Sequence, residues 1–192
     1  MMQGAAPAMV PPFSIAGTAG KAMRRALMAR CCGLLIAASP PPAAHSEMTR
    51  LFDADQADRA HRPIDWTKVD PRDRDRRSRT RALLATGALR TGADFEPAAF
   101  VFQHGALPAD FLPAHTLAMV AVAKGRPSAN WIAAATLDRY QQTIGQKQVY
   151  GTQYRIDGPV TQEPYDRTLI SDALRVALGV PTLTRQPADR HG

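Results

Sequence analysis

Residues 110–145 read DFLPAHTLAMVAVAKGRPSANWIAAATLDRYQQTIG and carry the clearest structural pattern of the 192-residue chain. Asp110 predicts the start of one helix, which ends at Gly125. Its apolar residues recur at helical spacing: Phe111, Ala114, Leu117, Ala118, Ala121 and Val122. Ser128 predicts the start of the next helix, in which Trp131, Ala134, Ala135 and Leu137 form the apolar stripe before Gly145. Small side chains and tight Gly/Pro turns favour antiparallel neighbours that pack closely.

Further helices are predicted on both sides of this pair. Residues 48–62 and 71–89 form two amphipathic stretches, and Asp94 predicts the N-cap of a third helix that ends at Gly105. After Gly145 the period becomes alternating up to a turn at Asp157-Gly158-Pro159, and a last helix is predicted from Asp166 to Leu178. The predicted fold is therefore mainly α, a small antiparallel helical bundle with tetratricopeptide-like hairpins and a short extended arm or hairpin near 148–162.

The N-terminal residues have the pattern of an export signal. Lys21, Arg24, Arg25 and Arg30 precede a short apolar run at 31–38, and small residues at 44 and 46 suit cleavage by signal peptidase. The chain is thus predicted to comprise a signal peptide or disordered leader at 1–46, a single helical domain at 47–182 and a flexible tail at 183–192. The expected location is periplasmic or secreted, or cytoplasmic if the leader is not a signal. The apolar run is too short for a membrane span.

Both cysteines, Cys31 and Cys32, lie in this leader. The remaining domain therefore offers no disulfide, zinc–thiolate site or cysteine nucleophile. The leader also holds four basic residues and no acidic one, so the net charge of +7 falls to +3 for the rest of the chain. Such a surface gives no argument for nucleic acid. Residues 70–81 contain six arginines and three aspartates, which predicts a solvated helix face with internal ion pairs rather than a nucleic-acid site.

Several polar motifs resemble a family of bacterial proteins known only as a domain of unknown function. The motifs are Asp55-Gln56-x-x-Arg59, Ala98-Ala99-x-x-x-Gln103-His104-Gly105, Ala114-His115-x-Leu117-Ala118, Asp138-Arg139 and Gly145-x-x-Gln148-x-Tyr150-Gly151-Thr152-Gln153. The resemblance covers roughly residues 48–182. It implies the domain boundaries and draws attention to these residues, but it implies no activity, because the family has none assigned.

Asp138 is the first candidate for a site, because helical spacing places it on the apolar face that carries Trp131. A carboxylate on that face is costly unless it is paired. A structural role would pair it with an arginine such as Arg59, or with backbone amides near Gly151. A functional role would make it a base or an anion-binding centre.

The two histidines His104 and His115 belong to helices that a hairpin could bring together. Together with Asp138 they would form a two-histidine, one-carboxylate set for acid–base chemistry or for a metal. No metal-binding spacing, phosphate loop, dinucleotide fingerprint or nucleophile elbow occurs, so no metal and no cofactor is predicted. The candidate binding residues are Gln103, Arg139, Gln148, Thr152 and Gln153. Gln148 and Gln153 have a structural alternative, which is to tie the extended arm to helix ends.

Two functions follow as hypotheses. The first is a non-catalytic exported helical module that binds a protein or peptide partner in the cell envelope, with no nucleic acid and no membrane span. The alternative is a hydrolase-like enzyme with a His/Asp site, with or without assistance by a metal, in which His104, His115 and Asp138 act with Arg139 or Gln153 as orienting groups. Convergence of these side chains in one pocket would favour the enzyme.

Overall fold

Six helices dominate the computed structural model of the chain, which describes residues 42–60, 62–154 and 160–186. In chain order they are α1 (Pro42–Ala57), α2 (Trp66–Ala85), α3 (Gly92–Phe102), α4 (Pro108–Ala123), α5 (Ala129–Thr143) and α6 (Asp172–Leu178), followed by a 3₁₀ turn at Leu183–Arg185. No β-strand occurs in these ranges, and an isolated parallel bridge joins Gln148 and Tyr165. The predicted mainly helical bundle is confirmed. The tetratricopeptide-like character of its hairpins stays a prediction.

The core lies among α3, α4 and α5, which follow one another through short connections at 103–107 and 124–128. Its buried residues are Ala98, Ala99, Val101 and Phe102 of α3, Ala114, Leu117, Ala118 and Ala121 of α4, and Ala129, Ile132 and Ala133 of α5. Small side chains dominate, so the backbones can approach closely. Met48 of α1 and Leu83 of α2 extend this core.

Trp131 was expected in that core, and this was wrong. Its side chain is 43% exposed, although Asp138 two turns later is fully buried. Residues 148–152 cover α5 at Asp138 with four hydrogen bonds. At the start of the helix Ala129, Ile132 and Ala133 are buried instead, and the face that carries Trp131 stays exposed. Helical spacing predicts the direction in which a side chain points, but its burial depends on which other segments pack against that face of the helix.

The helix starts differ from the predicted ones for local reasons. α2 begins five residues before Pro71, so this proline lies in the second turn, where it lacks the N–H of a helical hydrogen bond, and does not mark the start of the helix. Asp94 is not the N-cap of α3. Thr91 occupies that position, and Asp94 accepts the Thr91 N–H at 2.8 Å from the first turn. α6 begins at Asp172 rather than Asp166, because Asp166 forms a local turn with the N–H and hydroxyl of Thr168.

The domain extends past both predicted boundaries. α1 begins at Pro42, and Nδ1 of His45 lies 2.7 Å from Oδ1 of Asp94, so residues of the predicted leader contact α3. At the other end Gln186 is buried and donates to the Tyr150 carbonyl at 3.0 Å, within the predicted tail. The signal pattern at 21–38 and the predicted turn at 157–159 lie outside the described residues.

Candidate functional site: an arginine-lined pocket

A pocket of about 740 Å³ opens where the end of α1, the first half of α2, the α3–α4 connection and α5 meet. Its lining contains five arginines: Arg59, Arg62, Arg74, Arg77 and Arg139. His104 and three carboxylates, Asp70, Asp73 and Asp110, complete the charged part, and Ile64, Trp66 and Leu107 supply apolar surface. We call this site the arginine pocket. Its size is typical of a small-ligand site.

One wall of the arginine pocket is an ion network between α1 and α2. Arg59 pairs with Asp55 at 3.1 Å and also with Asp73. Arg76 pairs with the same Asp73 at 2.8 Å and with Asp58. Asp55, Asp73 and Arg76 are buried. Each of these charges loses its hydration on folding, and the ion pairs compensate for that loss. The predicted internal ion pairing along 70–81 is confirmed for Asp73 and Arg76, whereas the other ion pairs of this stretch are made with residues outside it. The predicted solvated face is wrong for Asp73, Arg76 and Arg77.

The α3–α4 connection forms the opposite wall. Arg77 donates to the His104 carbonyl at 2.7 Å, and its Nε lies 3.6 Å from Asp110. Asp110 also pairs with Arg81 at 2.7 Å and accepts the Ala106 N–H. A Cβ at Gly105 would lie 2.2 Å from the Cβ of Asp110, so this turn requires glycine. Gly105 therefore lets Asp110 pack against the connection and fixes the carbonyl that Arg77 binds.

Arg139 of α5 differs from these arginines. Nη1 donates to the Gln103 carbonyl at 3.3 Å, but Nε is buried without a hydrogen-bond partner, and no carboxylate pairs with the guanidinium within the described part of the chain. Burial, and then the charge of Arg59, lower the pKa of Arg139 below its usual value. An arginine remains protonated even so. Arg139 therefore brings a poorly compensated positive charge to the pocket.

His104 also lines the pocket, and its carboxylate partner is Asp55. Nδ1 of His104 lies 2.8 Å from Oδ1 of Asp55, which Arg59 contacts as well. Since a carboxylate can only accept, Nδ1 carries the proton and Nε2 is the remaining ring nitrogen. No hydrogen bond to Nε2 occurs among the described residues. The pair has the orientation that a carboxylate gives to a histidine base.

The three residues of the hypothetical catalytic set do not share partners. His115 binds the Ala133 carbonyl through Nδ1 at 2.9 Å. Asp138 accepts the N–H groups of Val149, Tyr150 and Thr152 and the Thr152 hydroxyl, all within 2.9 Å. The pairing of Asp138 with backbone amides near Gly151 is thus confirmed. Of the three, only His104 lines the arginine pocket.

The remaining candidate binding residues divide between the arm and the pocket. Gln148 is fully buried, donates to the Gln153 carbonyl at 2.9 Å and accepts the Gln153 N–H at 2.9 Å. Gln153 reaches the Ala135 carbonyl at 3.3 Å. Thr152 on Asp138 and Gln153 on Ala135 hold the arm on the middle of α5, whereas Gln148 bonds within the arm. The predicted ties to helix ends are therefore wrong in their position. Gln103 contributes its carbonyl to Arg139, which places it beside the pocket.

Arg77, Asp73 and Asp110 were not predicted as site residues. A signal for the first two existed in the sequence, because the buried face of α2 contains Val69, Asp73, Arg76, Arg77, Thr80 and Leu83, which follow helical spacing. Charged residues that share a helix face with buried apolar residues are expected to be buried too, and this pattern indicates a buried network of ion pairs. Asp110 was interpreted only as a helix start.

A second pocket, of about 470 Å³, lies between α1 and α3 and includes Phe52, Phe100, Glu96 and Arg126. Arg126 pairs with Glu96, and the two phenylalanines contact each other edge to face at 5.5 Å. Arg126 and Glu96 therefore compensate each other's charge within this pocket.

Comparison of the chain with protein-family models, with curated proteins and with solved structures found no match. The family resemblance stays a prediction. No group of three or more His, Cys, Asp or Glu side chains suited to a metal occurs in the described ranges. Across the same residues, no helix has both the length and the apolar character needed to cross a bilayer.

Proposed function

We propose that this chain is a non-catalytic helical module that binds an anionic group of a protein or peptide partner in the arginine pocket. The observation that carries the proposal is Arg139, a pocket-lining guanidinium with a buried Nε and no carboxylate partner among the described residues. A partly desolvated cation gains more from an incoming anion than one exposed to water does. Such a residue contributes little to the stability of the fold, which is typical of residues kept for binding.

The test uses the full chain and simple anions. Thermal unfolding is followed with chloride replaced by acetate, phosphate or citrate at constant ionic strength. We expect at least one anion to raise the Tm of the wild type, and Arg139→Gln to abolish the increase. Arg50→Gln is the matched control, because it removes the same charge from an exposed position of α1 outside the pocket. Equal responses of the two variants, or no anion effect on the wild type, would contradict the proposal.

The location belongs to the same proposal. We propose that the module is periplasmic or secreted, since basic residues precede the apolar run at 31–38. Fractionation of cells that express a C-terminally tagged full chain tests this, with Arg24 and Arg25 both replaced by Glu in the control. Retention of the wild-type chain in the cytoplasm would contradict export.

A hydrolase is the second candidate, and the pairing of His104 with Asp55 favours it. In that mechanism Nε2 removes a proton from water, the water oxygen attacks a bound ester, and the proton passes to the leaving alkoxide. The catalytic pair would be His104 and Asp55 rather than His104 with His115 and Asp138. No donor cluster in the described residues supports metal assistance.

Hydrolysis of 4-nitrophenyl acetate and 4-nitrophenyl phosphate tests this candidate. His104→Asn would abolish turnover, whereas His115→Asn, which changes a histidine bound to a backbone carbonyl, would retain it. Equal turnover of these two variants would contradict the hydrolase.

A further inference from the structure

The arginine pocket has an apolar side that an anion alone would not use. Trp66 is 51% exposed and Leu107 is 61% exposed, and both line the pocket together with Ile64. Large exposed apolar side chains beside cations are typical of sites for amphipathic ligands. The ligand should therefore carry an apolar group next to its negative charge.

The charges inside the pocket suit a single negative charge. Arg59 is paired with Asp55 and Asp73, and Arg77 lies close to Asp110. Arg139 is therefore the partly buried arginine of the pocket that has no carboxylate partner among the described residues. Arg62, Arg74 and Asp70 are exposed, where water weakens their effect. A phosphate monoester carries nearly two negative charges and would meet the carboxylates of Asp73 and Asp110. A carboxylate carries one, and guanidinium geometry matches it.

We infer that the arginine pocket binds the C-terminal carboxylate of a peptide or protein whose last residue has a large apolar side chain. The inference rests on the proposed function and names the ligand of that site. Arg139 binds the carboxylate, and Trp66 and Leu107 contact the terminal side chain. Capture of a chain terminus is a known mode of peptide recognition, and the volume of about 740 Å³ accommodates a short peptide segment. A free carboxylic acid offers the same chemistry without the peptide backbone.

Trp66 provides the measurement, because the chain has only one other tryptophan, Trp131. In Trp131→Phe the emission reports on Trp66 alone. The probes are an N-acetylated Gly-Ser-Ala-Leu peptide as free acid and as amide, the free acid ending in Ser, 4-methylpentanoate and inorganic phosphate. Calorimetric titration of the unsubstituted full chain repeats each measurement without relying on the Phe variant.

We expect the Leu free acid to shift the emission and to bind at least about tenfold more tightly than its amide, as loss of one charge-assisted contact implies. The Ser peptide and 4-methylpentanoate should each bind more weakly than the Leu acid. Arg139→Gln should weaken the Leu acid by a similar factor, and Arg50→Gln should leave it unchanged.

Four outcomes would overturn the inference. Equal binding of the acid and the amide would show that the pocket does not recognise the carboxylate. Binding of 4-methylpentanoate as tight as that of the peptide would show that the pocket does not recognise the peptide backbone. If phosphate bound more tightly than the Leu acid and Arg139→Gln abolished that binding, the inferred ligand class would be wrong, but the proposed anion site would stand. Absence of binding by every anion tested would defeat the proposed function as well.

Discussion

Thr152 donates two hydrogen bonds to the Asp138 carboxylate, one from its backbone N–H at 2.8 Å and one from its hydroxyl at 2.7 Å. Val149 and Tyr150 donate to the other carboxylate oxygen. The buried charge is therefore compensated by four donors of one short segment and not by an arginine. This explains how a carboxylate side chain can lie on the apolar face of α5.

Replacement of Asp138 by Ala should destabilise the domain strongly, because three backbone N–H groups lose their acceptor at once. We expect the free energy of unfolding to fall by roughly 4 kcal/mol, and by about 1.5 kcal/mol for Thr152→Val, which loses one bond. Urea unfolding measures both values, and hydrogen exchange at residues 149, 150 and 152 should accelerate in the Ala variant. A loss in Asp138→Ala no larger than that in Thr152→Val would disprove this account.

Gly151 should tolerate alanine far less than Gly145 does. Both have positive φ, 71° and 73°, so each substitution carries a similar backbone penalty of about 1 kcal/mol. A Cβ at Gly151 would also lie 2.6 Å from the Tyr165 ring, whereas at Gly145 it would meet nothing within 4 Å. We expect Gly151→Ala to cost roughly 2 kcal/mol more in urea unfolding. Equal losses would show that the arm can move away from Tyr165.

Arg59 and Arg139 should differ in their effect on stability. Arg59→Met leaves Asp55 and Asp73 with fewer partners in a buried site, and we expect a loss of about 3 kcal/mol. Arg139→Met removes a cation that forms no ion pair with any described residue, so the stability of this variant should stay within about 1 kcal/mol of the wild type or increase. Chemical unfolding of both variants at neutral pH makes the comparison. A large loss in Arg139→Met would assign this residue a structural role and weaken the proposed anion site.

Asp94 should contribute to the loss of stability in acid. Burial opposes its charge, but hydrogen bonds from the Arg90 and Thr91 backbones, His45 and the Thr91 hydroxyl outweigh this and hold its pKa below the usual 3.8. A lowered pKa in the folded state stabilises the protein above the unfolded value, and the contribution disappears as the pH falls through the folded one.

The difference in Tm between the wild type and Asp94→Asn should therefore be full at about pH 6 and should shrink below about pH 4. Asp53→Asn, at an exposed position of α1, serves as the control. A difference that is constant over this pH range would show that the carboxylate charge does not matter at Asp94.

The helical pattern predicts the bundle because Ala, Leu and Phe recur at fixed spacing in α3 and α4. The limits of the helices are less predictable, since they depend on local competition. Asp166 binds Thr168 instead of starting a helix, and Thr91 takes the capping position that Asp94 was expected to occupy. The exposure of Trp131 depends on which segment covers α5, and no local pattern contains that information.

The site was predictable only in part. The predicted candidates His104, Gln103 and Arg139 lie at or beside the arginine pocket. His115 instead binds a backbone carbonyl of α5, and Asp138 binds the arm. The partner of His104 is Asp55, which lies 49 positions earlier in the chain. Such a contact depends on how α1 packs on α3, so spacing along the sequence could not reveal it.

The ion network between α1 and α2 also constrains how this protein can evolve. Arg59 and Arg76 share Asp73, while Asp55 and Asp58 bind the other side of each arginine. A single substitution in the network leaves a buried charge with fewer partners. Among related sequences, positions 55, 59, 73 and 76 should therefore change together, through joint replacement by apolar residues, or remain fixed as a group.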